Sequence, residues 1–354
     1  MYRLLNHIHS PSDLKSLSVR QLEFLCKEIR HKILHTVSAT GGHLASNLGV
    51  VELSVALHRV FNVPMDQIVW DVGHQSYAHK ILTGRMKEFD TIRTKEGLSG
   101  YPKRDESPYD AFNTGHSSTS ISAALGIAQA KKLTQSPGHV LAVIGDGALT
   151  GGLANEGSNN AGRFNRNFIV ILNDNTMSIS RNVGSMSRYL TMLRTTPTYL
   201  KAKGDLETVL DKIPLLGPPT YKIIHRSKAV VKRLLYNSTI FEDMGFTYYG
   251  PCDGHNLGQL QDTLERVKTV DHPVLLHVVT RKGKGYSYAE NNPGAFHGVS
   301  SFNIQTGKGA SSSHSFSNVF GSALCNLAKK DPKICAITAA MQEGTGLTKF
   351  ASLF

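Results

Sequence analysis

The sequence predicts a doubly wound α/β fold with a mostly parallel sheet, followed by the start of a second α/β unit. Three observations carry this. Short apolar runs recur at 140–144, 168–172 and 274–279, the last interrupted only by His277, as strands covered on both faces are. Stretches of helical period separate them, and alternating strands and helices make crossover connections. Each run also stops at a glycine or a polar residue, Gly145, Asn173 and Thr280, the edge where such sheets take a ligand.

The elements follow in order. Residues 18–37 have a helical period, which Gly41-Gly42-His43 breaks and 48–61 resumes. Ile68-Val69-Trp70-Asp71-Val72 is short and rich in β-branched residues, and Gly73-His74 ends it, so it reads as a buried strand. A helix is expected over 119–133 before the strand at 140–144, and another over 155–162 before the strand at 168–172. The basic stretch 222–233 interleaves Lys222, Arg226, Lys228, Lys232 and Arg233 with Ile223, Ile224, Val230 and Val231. That spacing predicts an amphipathic helix with a solvated basic face. Residues 1–307 form the first domain, and the serine- and glycine-rich 308–315 reads as a linker. Residues 316–354 open a second unit with an amphipathic stretch and a short strand at 334–338. About forty residues cannot make an independent core, so the second domain is expected to be truncated here.

Composition removes several classes of function. Of 354 residues, 40% are hydrophobic, enough for a sizeable core. The longest apolar runs are far too short for a membrane span, and the first residues lack a secretory pattern, so a cytoplasmic protein is expected. Cys26, Cys252, Cys325 and Cys335 form no Cys-x-x-Cys pair and read as reduced, mostly packed thiols. The net charge of +12 suits either nucleic acid or small anions. No recognition motif or aromatic stacking pattern accompanies the charge, so no nucleic-acid partner is expected.

The chemistry concentrates after the strands. Gly145-Asp146-Gly147 follows one buried run and Asn173-Asp174-Asn175 the next. One helix and one strand separate Asp146 from Asn175, so adjacent strands would bring a carboxylate and an amide oxygen to one sheet edge. Those are hard ligands suited to Mg²⁺, which completes its shell with phosphate and water. Gly147 would let a phosphate approach the backbone, and the following helix would offer free N–H groups. Most histidines are expected to be packed or surface residues, among them His31, His35, His58, His139, His272 and His277.

The paired motif is that of thiamine-diphosphate binding, and the flanking strings narrow it. They are Gly41-Gly-His-Leu-Ala-Ser-Asn-Leu-Gly49, Trp70-Asp-Val-Gly-His-Gln75 with His79-Lys-Ile-Leu-Thr-Gly-Arg85, and Gly115-His-Ser-Ser-Thr-Ser-Ile-Ser122. Further strings are Ile171-Leu-Asn-Asp-Asn175 with Met177-Ser-Ile-Ser180, Gly250-Pro-Cys-Asp-Gly-His255, Lys282-Gly-Lys-Gly-Tyr286 and Phe296-His297. Over nearly all its length the chain closely resembles the 1-deoxy-D-xylulose-5-phosphate synthase family, which separates it from transketolase and pyruvate dehydrogenase.

The resemblance implies a reaction and its parts. The family condenses pyruvate with D-glyceraldehyde 3-phosphate and releases CO₂, supplying precursors for isoprenoids, thiamine and pyridoxal. Asp146, Asn175 and the carbonyl of Met177 would hold Mg²⁺. His74, Gly115, His116, Ser117, Gly147, Ala148, Asn175 and Tyr286 would contact thiamine diphosphate. His43 and His297 match histidines facing the reacting centre, where imidazole moves protons near neutral pH. The family is homodimeric, so a homo-oligomer is implied. Two departures stand out. The helix after Gly147 carries Asn155 and Gly157, poorer helix formers by up to about 1 kcal/mol, which would loosen it. The family's catalytic glutamate lies past the Gly344-Thr-Gly-Leu347 string, beyond Phe354. The chain is thus expected to be the amino-terminal portion of a synthase, either a split subunit completed by a separate carboxy-terminal half or a fragment of a longer chain. The alternatives are a Mg²⁺–thiamine-diphosphate binding module without turnover and half of a split transketolase-type enzyme.

Overall fold

The computed structural model describes residues 2–164, 166–176, 184–195, 239–309, 315–338 and 341–354. The expected helix at 222–233, most of the linker and the Met177 ligand lie outside the described residues.

The first helix, α1 (Val19–Thr40), starts where a capping box predicts it. Ser18 Oγ accepts the Gln21 N–H, and the Gln21 side chain accepts the Ser18 N–H at 2.9 Å, together satisfying two orphan donors. Its buried Leu22, Leu25, Cys26, Ile29, Ile33 and Val37 recur at three- and four-residue spacing. Gly41 ends it at φ 74°, a left-handed conformation that glycine takes without a Cβ clash. Two helices follow, α2 (Ala45–Gly49) and α3 (Val51–Val60), then β1 (Gln67–Trp70) and α4 (Tyr77–Lys80).

The remaining core elements alternate as expected: α5 (Ser120–Leu133), β2 (Val140–Gly145), α6 (Asp146–Leu149), α7 (Gly152–Ala161), β3 (Ile169–Asp174) and α8 (Ser185–Thr195). After them come α9 (Ile240–Asp243), β4 (Thr247–Asp253), α10 (Leu257–Lys268), β5 (Val274–Val279) and α11 (Ser287–Asn291). The five strands form one sheet in the order β1-β2-β3-β5-β4, and every pairing is parallel. Alternate residues of each strand enter opposite layers. Ile68, Leu141, Val143, Ile171 and Leu276 pack in the layer that holds α1, α3 and α10. Val69, Ala142, Ile144, Val170 and Leu275 pack in the layer that holds α5 and α7. Burial on both faces explains why these strands read as continuous apolar runs.

Three readings change. The strand β4 was not anticipated. Gly250 and Pro251 interrupt its apolar pattern, and its register shifts between Tyr249 and Cys252. Proline is tolerated at a sheet edge or bulge, and β4 is the edge strand. Second, α7 is intact despite Asn155 and Gly157. A Cβ on Gly157 would lie 2.8 Å from Ser122 Oγ and 3.2 Å from Ile121 Cγ2, so glycine there permits the close contact between α5 and α7. Third, residues 334–338 are not a strand, and Ile337 is 95% exposed. A strand with no neighbour leaves its backbone groups unpaired, and none pairs with this segment among the described residues. The unit around it consists of α12 (Phe316–Ala328) and α13 (Thr348–Leu353). They share a small cluster of Cys325, Ala328, Leu347 and Phe350. Of the cysteines, three are buried and Cys335 is exposed, all as free thiols.

Candidate functional site

A cavity of about 450 Å³ lies beyond the carboxyl ends of β1, β2, β3 and β5. The loops after these strands converge there because all the strands run parallel and present the same end. Asp71 closes β1 and organises the first loop. Its carboxylate accepts the Ser118 N–H at 2.8 Å and the Ser120 N–H at 3.0 Å. These are donors at the start of α5 that have no partner within the helix. Ser118, held at φ 70°, donates its hydroxyl to the Ala148 carbonyl at 2.8 Å. One carboxylate and one hydroxyl thus bind the 115–118 loop to β1 and to the turn after β2. Gly115, His116 and Ser117 line the cavity from that loop, and Gly147, Ala148 and Asp146 line it from the turn.

Asn175 lines the same cavity, so the expected pairing of Asp146 with Asn175 is present. Asp174, which the sequence reading left without a role, backs the site. It is fully buried and pairs with Arg194. It also accepts from His277 Nε2 at 3.0 Å, while the Tyr248 hydroxyl donates to His277 Nδ1 at 2.7 Å. Burial, and next the neighbouring Asp174 charge, push the Asp146 carboxyl up to about 7. Two carboxylates this close favour a cation between or beside them. Among the described residues no group of three or more His, Cys, Asp and Glu is arranged to hold a metal ion. A site built from one carboxylate, one amide and one backbone carbonyl is not such a group.

His74 and His297 also line the cavity, and the candidate His43 does not line it but packs against both. The rings of His43 and His74 are 5.2 Å apart, those of His43 and His297 5.5 Å, and those of His74 and His297 5.0 Å. Two-way hydrogen bonds between Gly42 and Val299, both 2.8 Å, bring the His297 loop beside His43. A Cβ on Gly41 would lie 2.8 Å from the Val299 carbonyl, so the close approach depends on glycine. Burial first, and then the His297 charge, lower His43 to about 4. Burial and Lys282 lower His297 to about 4, and His74 is held well below its ordinary value mainly by burial. All three imidazoles are therefore neutral at pH 7, and the Nδ1 atom of each is buried without a partner.

Tyr286 does not join them. Its hydroxyl donates to the Ile304 carbonyl at 2.8 Å, and its ring packs 5.6 Å from Phe296. A buried tyrosine whose hydroxyl is already partnered is a packing residue, and here it braces the segment that carries His297. The cavity residue of that loop is Lys282, which sequence reasoning passed over. Burial lowers its ammonium to about 8, with Asp146 opposing. Its signal was legible, since Lys282-Gly-Lys-Gly-Tyr286 is a polar loop directly after an apolar run. Ser46, Asp71 and Gln75 also line the cavity. Their only sequence signal was membership in the quoted strings.

The fold places the chain in a known structural class. Transketolase from Campylobacter jejuni matches with a TM-score of 0.57 at 19% identity, over 95% of this chain and 48% of that one. Transketolase from Leishmania mexicana matches with a TM-score of 0.55 at 18% identity, over 94% of this chain and 45% of that one. At these identities the likeness shows a transketolase-like fold. Sequence then decides the family: the 1-deoxy-D-xylulose-5-phosphate synthase model matches residues 5–280, and the chain belongs to that family of thiamine-diphosphate-dependent transferases. The synthase of Caldanaerobacter subterraneus is 56% identical over 99% of this chain, and that of Natranaerobius thermophilus 54% identical over 100% of it. The chain spans about half the length of the curated relatives it matches, 56% and 57% of these two.

Proposed function

We propose that this chain carries the diphosphate-binding side of a synthase that joins pyruvate to D-glyceraldehyde 3-phosphate, giving 1-deoxy-D-xylulose 5-phosphate and CO₂. The carrying observation is the cavity itself, which Asp146, Asn175, Lys282, His74 and His297 line beyond four parallel strands, with His43 packed against both imidazoles. Its residues fit thiamine diphosphate with Mg²⁺. Ser46 Oγ, Gln75 Oε1, His74 Nδ1 and His297 Nδ1 are buried polar atoms without partners, as groups awaiting a polar ligand are. Lys282 and the loop at Gly115, His116 and Ser117 present positive charge and small residues to a diphosphate. Gly147 and Ala148 leave the backbone open beside it. Asp146 and Asn175 supply hard oxygens for Mg²⁺, and the Met177 carbonyl is proposed as a third ligand on the family pattern alone.

When bound, thiamine diphosphate supplies the carbanion and the electron sink for decarboxylation and carbon–carbon bond formation. The protein's own part is to hold and shield. Asp146 must be ionised to bind the metal, and a divalent cation would offset the burial and the Asp174 repulsion that raise its carboxyl to about 7. His43 and His297 are neutral, so each can take a proton at one ring nitrogen or give one from the other. Their burial keeps bulk water from the reacting centre.

Calorimetry with thiamine diphosphate and Mg²⁺ tests the site. Binding is expected in the wild-type chain and is expected to vanish in Asp146→Ala; undiminished binding by that variant would remove the metal assignment. Because the curated relatives are nearly twice as long, a Mg²⁺–thiamine-diphosphate binding module without turnover is the second reading. Mixing the chain with a separately expressed carboxy-terminal half of a relative separates the two. Turnover in the mixture supports the split synthase, and binding without turnover supports the module. A homo-oligomer is proposed on the family pattern.

A further inference from the structure

We propose that Asn47 is the positioning residue that sets the spacing of the His43 and His74 imidazoles, through one carboxamide clamped between the two loops that carry them. The inference rests on reading the cavity as the reaction centre. Asn47 lies in α2 and is 0% exposed. Its Nδ2 donates to the His43 carbonyl at 2.7 Å and to the His74 carbonyl at 2.7 Å. Its Oδ1 accepts the Tyr77 N–H at 2.8 Å. The Tyr77 hydroxyl in turn accepts the His43 N–H at 3.2 Å. Loop 41–44, loop 73–76 and the start of α4 are thereby tied to a single side chain.

The chemistry of the clamp is specific to asparagine. A carboxamide offers two donors and an acceptor in one plane. An aspartate of the same size offers only acceptors, and would set a carboxylate against two carbonyl oxygens. A glutamine would need an extra methylene in a fully packed site, where added volume forces shifts. The clamp matters because the rings cannot hold themselves. The Nδ1 atoms of His43 and His74 have no partner, so the 5.2 Å ring separation is set by the backbones that Asn47 joins. The role is positional: the carboxamide is turned to backbone groups, and Asn47 does not itself line the cavity.

Imidazole titration by NMR, on the cofactor-free chain, tests this without activity. Asn47→Ala is compared with Leu53→Ala, a control in the adjacent α3 core that makes no contact with either loop's hydrogen bonds. In the wild type, His43 is expected to stay neutral to about pH 4. In Asn47→Ala the loops part and admit water, so His43 and His74 are expected to titrate about one unit or more higher. Asn47→Ser, which keeps one short donor, is expected to fall between and serves if the alanine variant does not fold. Unmoved titrations in the Asn47 variants would overturn the proposal, as would an equal shift in Leu53→Ala. Calorimetry with thiamine diphosphate is run on the same proteins. Failure of the wild type to bind counts against the cofactor reading, while the titration decides on Asn47 alone.

Discussion

At the scale of the residue, Asp146 shows a site paying in stability for its function. Its carboxyl sits near 7 because it is buried and beside Asp174. The stabilisation linked to its protonated form is complete below the ordinary carboxylate value and is lost as pH rises through about 7. Asp146→Asn removes that ionisation. The cofactor-free variant is expected to be more stable than the wild type at pH 8, by about 1 kcal/mol or more, and to have lost most of this advantage near pH 4. Urea denaturation at both pH values checks both halves. The same substitution is expected to weaken Mg²⁺-dependent binding by about a hundredfold or more, since even outer-sphere partners of a metal cost up to about that much. The histidines work in the opposite direction. His43 and His297 titrate near 4 in the fold, so their contribution is present above pH 6.5 and is lost as pH falls through 4. Thermal melts from pH 7 to 4 should show a shallower decline in His297→Ala than in the wild type; identical slopes would contradict the buried, neutral reading. Legibility at this scale was uneven. Asp146, Asn175 and His74 were readable because each directly follows an apolar run. Asn47 and Asp71 act through backbone atoms of other loops, which no spacing along the chain reveals.

At the scale of the element, apolar periodicity located α1, α5 and the strands β1, β2, β3 and β5 within a few residues, because both faces of the sheet are covered. It missed β4, whose Gly250 and Pro251 are tolerated at an edge that needs only one neighbour. It also drew the strand at 334–338 on apolar content alone, where pairing decides. The glycines of α7 follow the same logic. By propensity they weaken the helix, yet Gly162 at its end meets Met244 so closely that a Cβ would lie 1.8 Å from the Met244 carbonyl oxygen. Gly162→Ala therefore adds helix propensity and still destabilises, by about 1–3 kcal/mol, the usual cost of overpacking. Chemical denaturation measures it, and a neutral or stabilising result would mean that the α7–β4 junction can yield.

At the scale of the whole molecule, the described residues hold one large sheet core and one small helical cluster. The first buries both faces of a five-stranded sheet. The second holds a four-residue cluster and leaves Phe316 97% and Ile337 95% exposed. Limited proteolysis is expected to cut within 308–315 and to leave a resistant amino-terminal core; equal protection of both units would show the second to be independently stable. The isolated chain is expected to make no 1-deoxy-D-xylulose 5-phosphate from pyruvate and D-glyceraldehyde 3-phosphate, checked by product analysis with the purified chain. A proton-transfer group alone contributes about 10²- to 10⁴-fold. By itself the sequence determined the α/β class and the sheet edge at which Asp146 and Asn175 reach one cavity. These are properties of local period and of what immediately follows a strand. Only the tertiary structure decided that Tyr286 is a brace while Lys282 faces the cavity, that Asp174 raises Asp146, and that Asn47 joins two loops. Each of those depends on which side chain turns toward which backbone once distant segments pack, and that information is not local in the chain.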